Sequence, residues 1–362
     1  MNERIGHDEM KSFLALHGLS NCKLTMLKGG KNNQVYRVES ASSSAVLKAY
    51  FQHSEDKRPR CRTEFSFSRF LWSNGVRCIP EPIACDAESG FAIYEHVDGR
   101  PLTGADVNDS SVEQALRFYE AINSCRDRAE AATLGEASEA CFSVTQHLAC
   151  VEQRVEKLVA KVGESNCNKR LFDFVSSRLL PAWEDTKIRL LQACARLNLD
   201  LESLVPGTAR RLSPSDFGFH NALKLPDGEL FFLDFEYSGW DDPAKLICDF
   251  FLQPQLPVPT ELYFKRVLDF VETSSDGGIQ LGLRVEILSD LYRVKWCCIL
   301  LNVFLPAGQS RRSFAAGSDN PSKLAEEIVL DSSILEEQLD KAHSYLNTLQ
   351  LRMHESKFVF LS

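Results

Sequence analysis

The feature that most restricts the fold is a hairpin set in a helical context. The segment "NALKLP", a turn at Asp227-Gly228 and then "ELFFLDFE" carry the signature of two paired strands between Ala222 and Glu236. On either side the apolar residues recur at helical spacing. Val112, Leu116, Tyr119 and Ile122 form one series, and Leu148, Val151, Val155 and Leu158 another. A longer run from Leu171 to Leu197 contains Pro181, which should divide or kink it. Leu335, Leu339, Ala342, Leu346 and Leu349 make a last stripe.

The first 97 residues read differently. "KLTMLKGG", "QVYRVES" and "AVLKAY" are short, rich in Val, Tyr and Leu, and separated by Gly or Ser clusters, as consecutive antiparallel strands are. A helical pattern runs from Arg60 to Trp72, with Phe65, Phe70 and Trp72 towards one side, and Asn74-Gly75 ends it. "IPEPIACD" and "GFAIYEHV" are two more strands around a turn at 87–90. The character changes after Asp98-Gly99-Arg100-Pro101. The pattern predicts an α+β chain with a small strand-rich N-terminal lobe, 1–97, and a larger helical lobe, 98–362. The stretch "AGQSRRSFAAGSDNPS" reads as a mobile loop between helices.

Composition excludes several classes. Hydrophobic content of 44% and charged content of 25% are those of a globular protein. No apolar run is long enough for a membrane helix, and the N-terminus lacks the layout of a secretory signal. The 12 cysteines are scattered without a C-x-x-C pair, which favours reduced thiols in a cytoplasmic protein over a disulfide framework. The net charge of −9 argues against general nucleic-acid binding. Residues 1–97 are near balance, with 13 Lys+Arg and 11 Asp+Glu, so the acidity belongs to the C-terminal part. A solvated surface accounts for it more simply than a cationic substrate does.

Two aspartates flank the hairpin, and the first begins a D-F-G triplet, Asp216-Phe217-Gly218. A D-F-G metal ligand in a protein kinase needs a D-x-x-x-x-N shortly upstream. The nearest upstream aspartate, Asp200, is followed five residues on by Val205, which cannot ligate metal. Asp216 itself is followed five residues on by Asn221, which makes "DFGFHN" the D-x-x-x-x-N. That spacing suits a carboxylate facing an acceptor hydroxyl and an amide oxygen turned to Mg²⁺. Asp234 then stands at the end of the second hairpin strand as a rigidly aimed hard ligand. The D-F-G triplet is a coincidence. Upstream, Gly29-Gly30 in "GGKNN" form a bend whose amides can approach phosphates. Lys48 lies in the following strand. By itself it reads as a lysine reaching solvent and, pointed into a cleft, as a point charge for phosphates, with which Glu64 on the following helix could pair.

These elements in this order resemble the aminoglycoside phosphotransferase and choline kinase-like family of small-molecule kinases, which has a protein-kinase-like fold. The resemblance runs from about Leu24 to Phe250 and is strongest in "GGKNNQVYRV", "VLKAY", "SDFGFHNAL" and "LFFLDFEYSGWDDPAK". It implies an ATP- and Mg²⁺-dependent transfer of a phosphoryl group to a hydroxyl of a sugar, amino sugar or amino alcohol. Gly29, Gly30, Asn32, Asn33, Lys48 and Glu64 would then serve the nucleotide. Tyr94, Glu95, His96 and Val97 would be the hinge that meets adenine. Asp216 would be the base, and Asn221 and Asp234 would hold Mg²⁺ with Glu236 assisting. The sequence departs from the family at Pro214, where a supporting histidine is usual, leaving Ser213 or Ser215 to support the loop. It also departs at Leu246, where an aspartate is usual and Asp249 can stand in.

Other residues have competing readings. His220 either touches substrate or packs the loop. Asp241 and Asp242 either meet a substrate or, next to Pro243, cap a helix. Arg311 and Arg312 either bind an anion or face solvent. His53 and His96 have no partner at metal-ligand spacing. A non-catalytic nucleotide-binding scaffold is the competing function, and Pro214 is its main support. A protein kinase is disfavoured by the short interval from Asp234 to Asp249.

Overall fold

The computed structural model describes residues 7–27, 32–40, 43–52, 56, 58–165, 167–274, 279–315 and 332–354. The predicted N-terminal strands are present as β1 (Lys23–Met26), β2 (Gln34–Glu39), β3 (Ser44–Ala49), β4 (Pro82–Asp86) and β5 (Phe91–Glu95). They form one antiparallel sheet in the order β1-β2-β3-β5-β4. Side chains alternate across a strand, so the central β3 serves two faces. Leu47 enters a core with Val38, Phe91 and Ile93, which is closed by Met10, Phe13 and Leu14 of helix α1 (His7–Leu16). Lys48, one residue on, is buried on the opposite face, towards α2 (Arg60–Ser73). Helix α1 has no counterpart in the sequence reading. The buried face of α2 is Phe67, Phe70 and Leu71, at i, i+3 and i+4, while Phe65 and Trp72 are only partly buried. Gly75, in the left-handed region at φ +90°, stops the helix as expected.

Helices dominate the rest, with α3 (Asp109–Ser124) and α4 (Val144–Val162) on the predicted periodicities. The run with Pro181 is divided as the sequence requires, into α5 (Lys169–Phe174) and α6 (Leu180–Arg196). Proline has no N–H to continue the ladder, and the chain widens to a π-type turn at Val175–Leu179 just before it. Helices α7 (Pro243–Leu252), α8 (Thr260–Ser274) and α9 (Ile279–Leu300) follow. Helix α9 packs against α4, α6, α7 and the late helix α11 (Ser332–His354), which buries Leu339, Ala342 and Leu346.

The segment that reads as a loop is partly helical: Pro306–Ala315 forms α10, and residues 316–331 lie outside the described residues. Tertiary contact overrides its polar composition. Phe314 meets Phe51 edge-on, and Gln34 donates to the Phe314 carbonyl at 2.8 Å. Gly308 is required there, because a Cβ would collide with the Asn302 carbonyl oxygen.

The hairpin is β8 (Ala222–Lys224) and β9 (Leu230–Phe232), extended by a short β6 (Arg100–Pro101). A second small ladder pairs β7 (Arg211–Ser213) with β10 (Gly239–Asp241). The two ladders bracket the loops that carry Asp216 and Asp234. No described helix is long and apolar enough to cross a membrane.

Candidate active site

Aromatic anchors hold both aspartate loops. Phe217 stacks on Phe250, Phe232 stacks on Phe118 at 4.3 Å, and Phe235 packs against Phe67 and Phe118. The phenylalanines of both triplets therefore face the core. The carboxylates beside them are each 32% exposed, while Lys48, which pairs with Asp234, and Glu64, which pairs with Lys48, are at 10% and 6%. In this buried set the two aspartates are the groups that can reach a substrate. The backbone is bent for the purpose. Ser215 and Asp234 both have φ near +70°, a region that costs a non-glycine residue roughly 1–3 kcal/mol.

Support for the Asp216 loop comes from residues with no motif of their own. The buried Ser213 Oγ accepts the Ser215 N–H at 3.0 Å, one of the two supports expected beside Pro214. Asn123 of α3 grips Leu212 from both sides, accepting its N–H at 3.0 Å and donating to its carbonyl at 3.1 Å. The sequence signal for Asn123 is slight: one amide inside an apolar helical stripe.

Lys48 Nζ lies between Glu64 Oε2 at 2.6 Å and Asp234 Oδ1 at 2.5 Å. Burial works against its charge, but Asp234, Glu64 and Glu236 outweigh it, so its pKa is raised. Tyr50 also donates to Glu64 Oε2 at 2.7 Å and meets the Tyr94 hydroxyl at 3.0 Å. Tyr94 thus has its side chain committed to this network, with Glu95, His96 and Val97 half-buried after it.

Asn221 Nδ2 donates to the Asp216 carbonyl at 2.9 Å and to Asp216 Oδ2 at 3.3 Å. His220 Nε2 is 3.2 Å from Asp216 Oδ1. Burial raises the Asp216 pKa, yet the His220 and Asn221 contacts win and bring it down to about 2.

Glu236 is fully buried. Asn32 donates to one carboxylate oxygen at 2.9 Å and Asn33 to the other at 2.6 Å. Asn33 Oδ1 in turn accepts the Phe51 N–H at 3.1 Å. Glu236, expected to assist a cation, accepts hydrogen bonds at both oxygens. Gly29, Gly30 and His53 lie outside the described residues.

Asp241, Asp242 and Asp249 are buried and paired. Lys245 joins Asp241 at 2.6 Å, and Lys295 holds both oxygens of Asp249 at 2.8 Å. Asp242 caps α7 through the Ala244 N–H and meets Arg284 and His147. The capping reading therefore describes Asp242. Arg311 and Arg312 are half-buried on α10.

A family model described as "APH: Phosphotransferase enzyme family" matches residues 23–245. The chain belongs to that family. No curated protein matches it at the level of sequence. Among solved structures it is similar to a spectinomycin phosphotransferase in complex with ADP and spectinomycin, at TM-score 0.59 and 14% identity, over 95% of this chain and 99% of that one. It is also similar to a Plasmodium vivax ethanolamine kinase (0.56, 13%, over 93% and 83%) and a Cryptosporidium parvum choline kinase (0.54, 15%, over 94% and 100%). The likeness to these structures extends beyond residue 245, into helices where the sequence carries no readable motif. The protein-kinase-like α+β fold expected from the motifs is the fold observed, and the chain is a small-molecule kinase by family.

Proposed function

We propose that the protein transfers the γ-phosphoryl group of ATP, with Mg²⁺, to a hydroxyl of a small molecule. The observation that carries this reading is the alignment of Glu64, Lys48 and Asp234 in one ion-paired row, next in the chain to the Asn221–Asp216 pair. Residues 1–97 would be the nucleotide-binding lobe and 98–362 the catalytic and substrate-binding part. Lys48, held charged by Glu64, would neutralise phosphate oxygens. The 94–97 backbone would meet adenine, and the Gly29-Gly30 bend would cover the phosphates.

The donor set suits Mg²⁺. No cluster of three or more His, Cys, Asp or Glu able to hold a metal occurs among the described residues. Mg²⁺ does not need one, since it is bound through one or two carboxylates together with substrate phosphates. Asp234 would supply the carboxylate. Asn221 would supply its amide oxygen, because its Nδ2 faces Asp216. Bound Mg²⁺ would supply charge neutralisation on the phosphates.

Asp216 is a weak base at a pKa of about 2. That is adequate, because the loose transition state of phosphoryl transfer asks chiefly for an aimed hydroxyl. Glu236 fits better as the anchor of Asn32 and Asn33, which follow Gly29-Gly30 in the chain, than as a further metal ligand. The intact set of Lys48, Asp216, Asn221 and Asp234 favours an enzyme over a scaffold.

The test is incubation with γ-labelled ATP, Mg²⁺ and a small-molecule extract of the source cells, with products read by mass. A labelled metabolite is expected from the unaltered protein. Asp216→Asn should lower its formation by roughly 10²–10⁴-fold while Mg·ATP still binds. Equal labelling by both proteins would remove Asp216 from the role.

A further inference from the structure

The Asp216 carboxylate has one hydrogen-bond donor with no other visible task. Among the described residues its side-chain partners are Asn221 and His220. Asn221 Nδ2 lies closer to the Asp216 carbonyl, at 2.9 Å, than to Oδ2, at 3.3 Å, so its first service is to the backbone. The contact of His220 is to the carboxylate itself, through Nε2 to Oδ1 at 3.2 Å. Pro214 and Ser215, which precede the aspartate, take part in the loop through backbone atoms only: Asp216 N–H to Pro214 O, and Ser215 N–H to Ser213 Oγ.

The imidazole is seated tightly. Its side chain is 9% exposed. Its Nδ1 is buried and has no hydrogen-bond partner among the described residues. A Cβ on Gly218 would come within 2.8 Å of that Nδ1 and 3.0 Å of Cε1. The backbone of residue 218, at φ 170°, is extended and would accept any residue. The glycine is therefore explained by the room it leaves for the ring, and for Gln253 Cγ at 3.1 Å, not by its torsions. Donation to a carboxylate requires the proton on Nε2, and in the neutral ring this leaves Nδ1 as an unsatisfied buried acceptor. A buried acceptor without a partner is unfavourable. This chain keeps it together with a glycine that lets the ring in, and what the ring reaches from that seat is Asp216.

We propose that His220 is a positioning residue that orients the Asp216 carboxylate, fixing Oδ1 and leaving Oδ2 for the acceptor hydroxyl. The proposal rests on Asp216 acting on that hydroxyl, as read above. It accounts for how a loop with Pro214 before its aspartate keeps that carboxylate aimed.

Side-chain geometry gives a sharp test on the full-length protein. Glutamine places its amide nitrogen near the position of Nε2, whereas asparagine reaches only to that of Nδ1. Transfer of label from γ-labelled ATP to the small-molecule extract is compared for His220→Gln, His220→Asn and Gly218→Ala, with Mg·ATP binding followed by calorimetry. His220→Asn should lower turnover by roughly 10–100-fold, the scale of a misaimed reacting group. Gly218→Ala should fall in the same direction by displacing the ring. His220→Gln should recover most of the rate, and Mg·ATP affinity should be unchanged in all three. On an Asp216→Asn background, His220→Asn should cost nothing further, because residues acting as one unit are not additive. Equal losses in His220→Gln and His220→Asn, or a full extra loss on the Asp216→Asn background, would overturn the proposal. If the unaltered protein labels nothing in the extract, crystal structures of the variants still decide the positioning. The Asp216 carboxylate should leave its place in His220→Asn and keep it in His220→Gln, and a carboxylate unmoved in both would refute the role.

Discussion

Two of the groups of buried charges among the described residues are built on opposite principles. In the cleft, Lys48 faces Glu64 and Asp234 directly and lies in the field of Glu236 as well. Cation and anion do not balance, and Asp234 stays partly open. Around the start of α7, Asp241, Lys245, Asp249 and Lys295 alternate in sign, and Asp242 is shared between Arg284 and His147. There each anion meets a cation, and every carboxylate is at most 2% exposed. Even with Arg60, 3.9 Å from Glu236, the first group keeps more carboxylates than cations beside an opening. The second is closed on itself. Buried charge is therefore no sign of function by itself; imbalance together with access is the informative combination.

The largest separation between the groups should appear with Asp234→Asn. The change keeps the shape and removes the carboxylate proposed to hold Mg²⁺, so phosphoryl transfer should fall on the order of 10³-fold or more. The Lys48–Glu64 pair survives it, so the thermal midpoint should stay near that of the unaltered protein. A large drop in midpoint would show that the cleft is held together by its charges as the second group is.

Lys245→Met makes the complementary break. It strands Asp241 without its cation and should destabilise the fold by about 3–5 kcal/mol in chemical denaturation. Mg·ATP binding by the molecules that remain folded should be unaltered. Lost nucleotide affinity in folded protein would mean that the second group reaches into the site.

How much of this is visible in the chain follows the same division. Asp216, Asn221, Asp234, Lys48 and Glu64 are legible because spacing along a loop, a strand end and a helix constrains them locally. The partners are not legible. Asn33 and Glu236 are 203 residues apart, and Asn123 and Leu212 are 89 apart. Sequence shows that an amide or carboxylate is present without showing what it meets. Asp241 and Asp242 read as either substrate groups or helix caps for that reason, and burial with Lys245, Arg284 and His147 favours a structural role. Helix α10 reads as a loop because Phe314 and Gly308 contact Phe51 and Asn302, which local propensity does not register.

Asn33→Ala tests how Glu236 of the cleft group is held. It leaves one oxygen of the buried Glu236 without its donor, a loss of about 1–3 kcal/mol in denaturation. If Glu236 anchors the phosphate-covering segment, the KM for ATP should rise with little change in kcat. A fall in kcat at unchanged KM would return Glu236 to the cation.

The smallest effect belongs to Glu139 and Arg154, where the principle of balance meets solvent. The pair is close, but Glu139 is 37% exposed, so water screens much of the attraction. Glu139→Gln should therefore change stability at neutral pH by only about 0–1 kcal/mol. Burial raises the Glu139 pKa, but Arg154 overcomes it and holds it at about 2. A carboxyl with a lowered folded pKa contributes its stability above the ordinary glutamate value of about 4.3 and loses it as the pH falls towards 2. The gap in denaturation midpoint between the unaltered protein and Glu139→Gln should thus narrow from pH 7 to pH 3. A gap that persists undiminished at pH 3 would show that packing of the side chain, not its charge, is what Arg154 meets.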